Sequence, residues 1–244
     1  MFERALLDWL RLHVGFDHCV VFGYRGAARP PMLFETFSAA ESYIYVALYQ
    51  EGPYLLDPFY HAAIEGREGF WRMRELAPDR FYTSEYYRSY YTQTGLAEEA
   101  GFFVQLPEST AVVLSLMRLA RSGPFGTAEV RALRDLAPLV LCLCGQHWKD
   151  LPTARSAPDR TALPLLPGSE FDRARLWASQ SLTGREGEIV NLVLQGHSSE
   201  SIGRALGISV GTVKVHRRNI HQKLGIHSQA GLFARFIELI NRMA

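Results

Sequence analysis

Between Thr183 and Ser228 the sequence is punctuated at nearly every expected helix boundary, and that limits the fold more than any other stretch. Thr183 and Glu186 have capping-box spacing, in which hydroxyl and carboxylate satisfy each other's backbone N–H groups. Gly196 is placed to end that helix in a left-handed turn. Ser198 or Ser199 then starts a second helix ending at Gly207, Ser209 a third ending at Gly225, and Ser228 a fourth. Only "GIS" separates the second helix from the third. Two short helices joined by so short a turn, the second one basic, read as a helix-turn-helix.

The third helix, "TVKVHRRNIHQKLG", explains its own mixed composition. At about 100° per residue, Val213, Ile220 and Leu224 share one face. That face is expected to pack on Ile189, Val190, Ile202, Ala205 and Leu206. Lys214, Arg218 and His221 lie on another face, with Val215 beside them. Lysine and arginine pair with guanine edges or phosphates, and an aliphatic side chain suits a thymine methyl. Thr212, near the helix start, is placed to donate to a phosphate, and Arg217 adds charge nearby. The charge balance points the same way. Residues 1–150 carry 14 Lys+Arg against 18 Asp+Glu, whereas residues 181–244 carry 8 against 4. A body that repels phosphate is joined to a tail that attracts it.

"LTGREGEIVNLVLQGHSSESIGRALGISVGTVKVHRRNIHQKLGIHS" (182–228) resembles the C-terminal DNA-binding domain of LuxR-type transcriptional regulators. The resemblance covers about a quarter of the chain. It implies base contacts from Lys214, Val215 and Arg218, and phosphate contacts from Thr212, Lys223 and the start of the second helix. Where the family usually has an Asn-Lys pair this chain has Ser199-Glu200; the serine keeps a donor, the glutamate does not. The last helix carries an apolar stripe of Leu232, Phe233, Phe236, Ile237, Ile240 and Met243, too broad for a small four-helix core. Part of it is expected to face a partner, and the resemblance implies a homodimer on a near-palindromic operator.

Four prolines within 149–175 forbid a long helix or central strand, so residues 151–178 are expected to link a front domain (1–150) to the DNA-binding tail (179–244). A short helix is expected over 171–180. In the front domain, strand signals at 18–24 and 32–37 and a hairpin across "PES" mix with helical stretches at 2–14, 39–50, 79–95 and 126–150, the last kinked at Pro138, and a helix begins at Pro58. The expected fold is α+β: a PAS/GAF-like α-β-α sandwich with an antiparallel sheet, followed by an all-α helix-turn-helix domain.

The front domain lacks the acid pair and lysine of a phosphorylated receiver. Its stretch "YVALYQEGPYLLDPFYHAAIEGREGFWRM" (45–73) resembles the ligand-binding domain of the autoinducer-sensing, quorum-sensing LuxR regulators, through Tyr45, Tyr49, Asp57-Pro58 and Trp71. The resemblance implies a pocket for a small-molecule effector, with Ser115 as a further hydroxyl and no other cofactor. Tyr45 stands where the family usually has Trp, and one residue is missing before Asp57. Acyl-homoserine lactone and a small polar, aromatic or amine signal therefore both stay open, as does a core of aromatics with no ligand at all. Tyr82, Tyr86 and Tyr90 share one expected helix face, Tyr87 and Tyr91 the next.

No Ser-His-Asp set, phosphate loop or metal spacing appears, so an enzyme is not expected. His18 and His61 stand alone, and Cys19, Cys142 and Cys144 read as packing residues in a reducing compartment. The expectation is a cytoplasmic homodimer that binds double-stranded DNA and an effector, with RNA polymerase as a further partner and no membrane. The rival is a regulator whose front domain binds no ligand and acts through protein contacts.

Overall fold

The computed structural model describes residues 1–26, 28–89, 91–151, 177 and 180–243. The expected linker and the short helix over 171–180 therefore lie almost wholly outside the described residues, as do Tyr90 and the Met243 side chain.

The chain opens with α1 (Phe2–Arg11), which buries Leu6, Leu7 and Leu10. Strands β1 (His18–Arg25) and β2 (Met32–Glu35) follow. The next helical stretch runs through α2 (Ala39–Ser42), a π-turn at Tyr43–Ala47 and α3 (Leu48–Gln50). A 3₁₀ turn, Pro53–Leu56, leads to α4 (Pro58–Ile64), capped by Asp57. Then come β3 (Gly69–Arg72), α5 (Met73–Leu76), α6 (Glu85–Ser89), β4 (Leu96–Leu106), β5 (Thr110–Leu119) and α7 (Thr127–His147). The five strands form one antiparallel sheet in the order β2-β1-β5-β4-β3. Strand β3 is not among the elements expected from the sequence.

Period-two alternation divides the sheet between two cores. Cys19, Val21, Phe102, Val104, Val112, Leu114 and Leu116 pack with α1 and α7. Val20, Phe22, Tyr24, Phe103, Val113 and Met117 face the other way, toward α4 and the aromatic segments. The sheet is thus covered on both faces, giving the expected α-β-α sandwich. Helix α7 buries Val130, Leu133, Ala137, Val140 and Cys144 at three- and four-residue steps. Pro138 stays inside this unbroken helix because it is exposed, so the hydrogen bond it removes falls on the solvent side. Cys142 is exposed, not packed.

One expected element is broken up. The aromatic stretch at 79–95 is not a single helix but a 3₁₀ turn (Phe81–Thr83), α6 and a second 3₁₀ turn (Tyr91–Thr94). The Ser84 hydroxyl accepts from the Tyr87 N–H at 3.1 Å and restarts the helix, so the tyrosine faces expected of an ideal helix do not hold.

The tail contains α8 (Gly184–Gln195), α9 (Ser199–Leu206), α10 (Val210–Leu224) and α11 (Gln229–Met243). Thr183 and Glu186 form the capping box, and Ser198 and Ser209 cap the next two helices. Gly196, Gly207 and Gly225 end their helices with φ of 97°, 64° and 64°. Val213 and Ile220 are buried and Leu224 is partly so, whereas Ala205 is exposed and not part of the packed face. Gly203 sets the helix-turn-helix angle: a Cβ there would lie 2.8 Å from the Ile208 carbonyl oxygen. Gly203→Val should cost about 3 kcal/mol or more, since backbone cannot give way as a side chain does. Urea titration followed by circular dichroism should show a lower midpoint for the variant than for the wild type.

The two units share an interface. The Arg80 N–H donates to the Gly196 carbonyl at 2.9 Å, and the Ser198 N–H donates to Asp79 Oδ1 at 2.9 Å. Gly196 lies so close to Phe81 that a Cβ would sit 2.7 Å from its Cα. The apolar stripe of α11, part of which is expected to face a partner chain, is covered in part by the front domain of the same chain. Helix α11 meets α6, and Ile240 packs at Gly52. Trp177 is fully buried, and its indole N–H donates to Asn191 at 3.0 Å.

Candidate functional site: an aromatic cavity and a basic helix face

The front domain has a cavity on the sheet face opposite α1 and α7. Its floor is the inward phase of three strands: Val20, Phe22 and Tyr24 from β1, Ser115 and Met117 from β5, and Glu99 from β4. Its roof is Tyr45 and Tyr49, Asp57 and Phe59 at the start of α4, and Tyr86, Tyr91 and Thr94. The π-turn lies beside the cavity and carries Tyr45; irregular turns of this kind often sit at functional sites.

Four of the five expected ligand residues, Tyr45, Tyr49, Asp57 and Ser115, line this cavity together. Trp71 does not. It lies on the edge strand β3, paired with Gly101; its indole N–H donates to the Glu68 carbonyl at 2.9 Å and Arg67 stacks over its ring. Gly101 is the reason. Phe59 fills the space where a Cβ would sit, 2.9 Å away, and stands between the β3 edge and the cavity.

Asp57 serves two masters. Its Oδ1 accepts from the Phe59 N–H at 2.8 Å, capping α4, and its Oδ2 accepts from the Tyr49 hydroxyl at 2.7 Å. Tyr49 and Tyr24 hydroxyls meet at 2.9 Å, extending the chain across the cavity. Tyr45, which stands in the place of the family's usual Trp, donates its hydroxyl proton to the Thr94 carbonyl. Burial pushes the Asp57 carboxyl up to about 6, against the pull of its two hydrogen bonds. Glu99 is absent from the residues expected on sequence grounds. It is buried, accepts from Tyr91 at 3.3 Å, and also bonds Ser115. Burial, and next the nearby charge of Asp57, push it up to about 8. The signal that could have found it is strand phase: Glu99, Gly101 and Phe103 alternate inward, with Gly101 opposite the inward Ser115.

In the tail, Thr212, Lys214 and Arg218 are exposed on α10, and Val215 is 45% exposed, unusual for an aliphatic side chain. This open side is the one the sequence assigns to duplex DNA. The other expected contacts are differently disposed. Arg217 is half-buried and reaches the Ser199 hydroxyl at 3.4 Å, facing Arg80 and Arg88 of the front domain across a crevice. Lys223 bonds the buried Glu186 carboxylate at 2.7 Å, which ties α10 to α8 and neutralises that ammonium. Exposed Glu200 lies near enough to Lys214 for their charges to interact.

Known proteins resemble both parts of the chain. The model of the luxR family of bacterial regulatory proteins matches residues 180–235. A putative HTH-type transcriptional regulator of Aeromonas salmonicida, from the exeN 3′ region, is 34% identical over 187 residues, 74% of this chain and 93% of that protein. The monoamine regulon transcriptional regulator of Klebsiella aerogenes is 28% identical over 153 residues, 62% of this chain and 54% of that protein. Among solved structures, the VqsR LBD domain from Pseudomonas aeruginosa matches with a TM-score of 0.52 and 25% identity, over 60% of this chain and 87% of that one. No described helix is long and apolar enough to cross a membrane.

Proposed function

The chain belongs to the LuxR family of bacterial regulatory proteins, and from that premise we propose that it is a ligand-responsive member that binds its operator as a homodimer. The observation that carries the reading is the pairing of an interior cavity with a free basic helix face in one chain. The effector occupies the cavity beside Asp57, and Lys214, Val215 and Arg218 read bases while Thr212 holds a phosphate. The sensor reaches the tail through the Asp79–Ser198 and Phe81–Gly196 contacts, and Phe81 itself touches the cavity-lining Tyr86 and Tyr91 rings. A ligand that favours one packing of those rings biases the placement of the tail, which is what a population shift requires. The exposed Leu139 and Leu143 on the outer side of α7 offer an apolar strip for the second copy.

The rival reading, a front domain that only contacts proteins, predicts packed side chains where the cavity lies. Native mass spectrometry of the chain purified from the cells that make it should show a bound small molecule, released on unfolding, and its removal should change operator affinity. Sedimentation with operator duplex should show two chains per site. A chain that carries no adduct and responds to no compound in a broad thermal-shift screen would overturn the ligand half of the proposal; one chain per site would overturn the dimer.

A further inference from the structure

The cavity holds two carboxylates and, among its described lining residues, no lysine, arginine or histidine. Asp57 and Glu99 are each only 7% exposed, and they lie close enough together for Asp57 to act on the charge of Glu99. Every charged group with a polar atom facing this space is thus an acid. The other groups facing Glu99 are neutral: Tyr91 from the turn before β4, and Ser115 and Met117 from β5. On the outer side of Glu99 an open recess carries Arg74 and Glu98, which pair with each other at 2.9 Å. The remaining walls are largely aromatic.

Such a cavity selects its occupant by charge. An anionic ligand meets two acids and no base. A neutral amide or lactone needs one acceptor, which Asp57 supplies, and makes no use of the second acid. A cation answers both acids at once, and its apolar part gains contact with ring faces that attract positive charge. Taking this cavity as the effector site, as proposed above, we infer that the effector is an organic cation: an alkyl- or arylalkyl-amine whose ammonium group is held between Asp57 and Glu99, with the tyrosines enclosing its apolar remainder. An ammonium has three donors, and the carboxylate oxygens retain lone pairs after bonding Phe59, Tyr49, Tyr91 and Ser115. Glu99 and Tyr91 also border the outer recess.

The inference fixes a proton count. The amine arrives protonated, and in the empty site Glu99 retains a proton at neutral pH. When the ammonium binds, that carboxyl ionises and its proton passes to the buffer. A neutral ligand releases none.

The test uses the full chain and a small panel: 2-phenylethylamine and 1,4-diaminobutane, their neutral counterparts 2-phenylethanol and 1,4-butanediol, and N-hexanoyl-homoserine lactone. At least one amine should raise the Tm while its neutral counterpart does not. Calorimetry at neutral pH in two buffers of different ionisation enthalpy should show proton release on amine binding. Glu99→Gln, which retains hydrogen bonds to Tyr91 and Ser115, should weaken the amine by at least about tenfold and abolish the proton release. If an alcohol or the lactone stabilises the chain and neither amine does, the amine inference falls while the cavity remains the effector site. Undiminished amine binding by the variant, or amine binding without proton release in the wild type, removes Glu99 from the site. Failure of every compound also overturns the amine inference, and the co-purified adduct judges the effector site separately.

Discussion

Lys214→Ala together with Arg218→Ala should weaken binding to a specific operator by roughly 30-fold to 20,000-fold, from about 1–3 kcal/mol for each base-edge contact. The two side chains are exposed and four residues apart, so they lie on the same side of α10 one turn from each other. Neither packs in the core, so the thermal midpoint of the double variant should match that of the wild type. Fluorescence anisotropy at one fixed salt concentration checks the affinity, because affinity for DNA moves steeply with salt. Arg217→Ala should do less to base discrimination, since its guanidinium already reaches Ser199. Unchanged footprints in the double variant would remove α10 as the reading helix.

Glu99→Gln should stabilise the empty protein at alkaline pH, and the gain should vanish in acid. Burial raises the Glu99 carboxyl from its ordinary 4.5 to about 8, so the folded chain holds that proton more tightly than the unfolded chain. Below about pH 4.5 both states are protonated and the group contributes no pH dependence. Between 4.5 and 8 the unfolded state has lost the proton that the folded state retains, and wild-type stability falls as pH rises. Above 8 the full penalty is present, on the order of 3–5 kcal/mol, because each tenfold gain in proton affinity corresponds to about 1.4 kcal/mol. Asp57 titrates with Glu99, so the pair shares this slope. Glutamine has no charge to bury. Chemical denaturation at a series of pH values should show the two curves meeting in acid and parting as pH rises. Parallel curves would mean that Glu99 is solvated and not buried as described.

Much of the tail is legible in the sequence because its structure is local. Caps such as Thr183–Glu186 and stops such as Gly207 act within one helical turn, and the exposed side of α10 follows from spacing alone. Sequence and structure part where distant residues compete. The family resemblance puts Trp71 in the pocket, yet Phe59, lying across Gly101, keeps it out. The aromatic stretch has the period of one helix, but Ser84 breaks it and turns Tyr86 and Tyr91 toward the same cavity. The α11 stripe is apolar as its spacing says, and what covers part of it is the chain's own front domain.

By itself the sequence determined the helix-turn-helix and the two-part organisation by charge, because caps, helical period and composition are properties of neighbouring residues; the acid at Asp57 is what the family resemblance implied. Only the tertiary structure decided that Glu99, forty-two positions further on, shares a cavity with Asp57. Strand pairing sets that juxtaposition: the β4–β5 register puts Glu99 on the inward phase beside Met117, and no spacing along the chain records which residues a sheet will bring face to face.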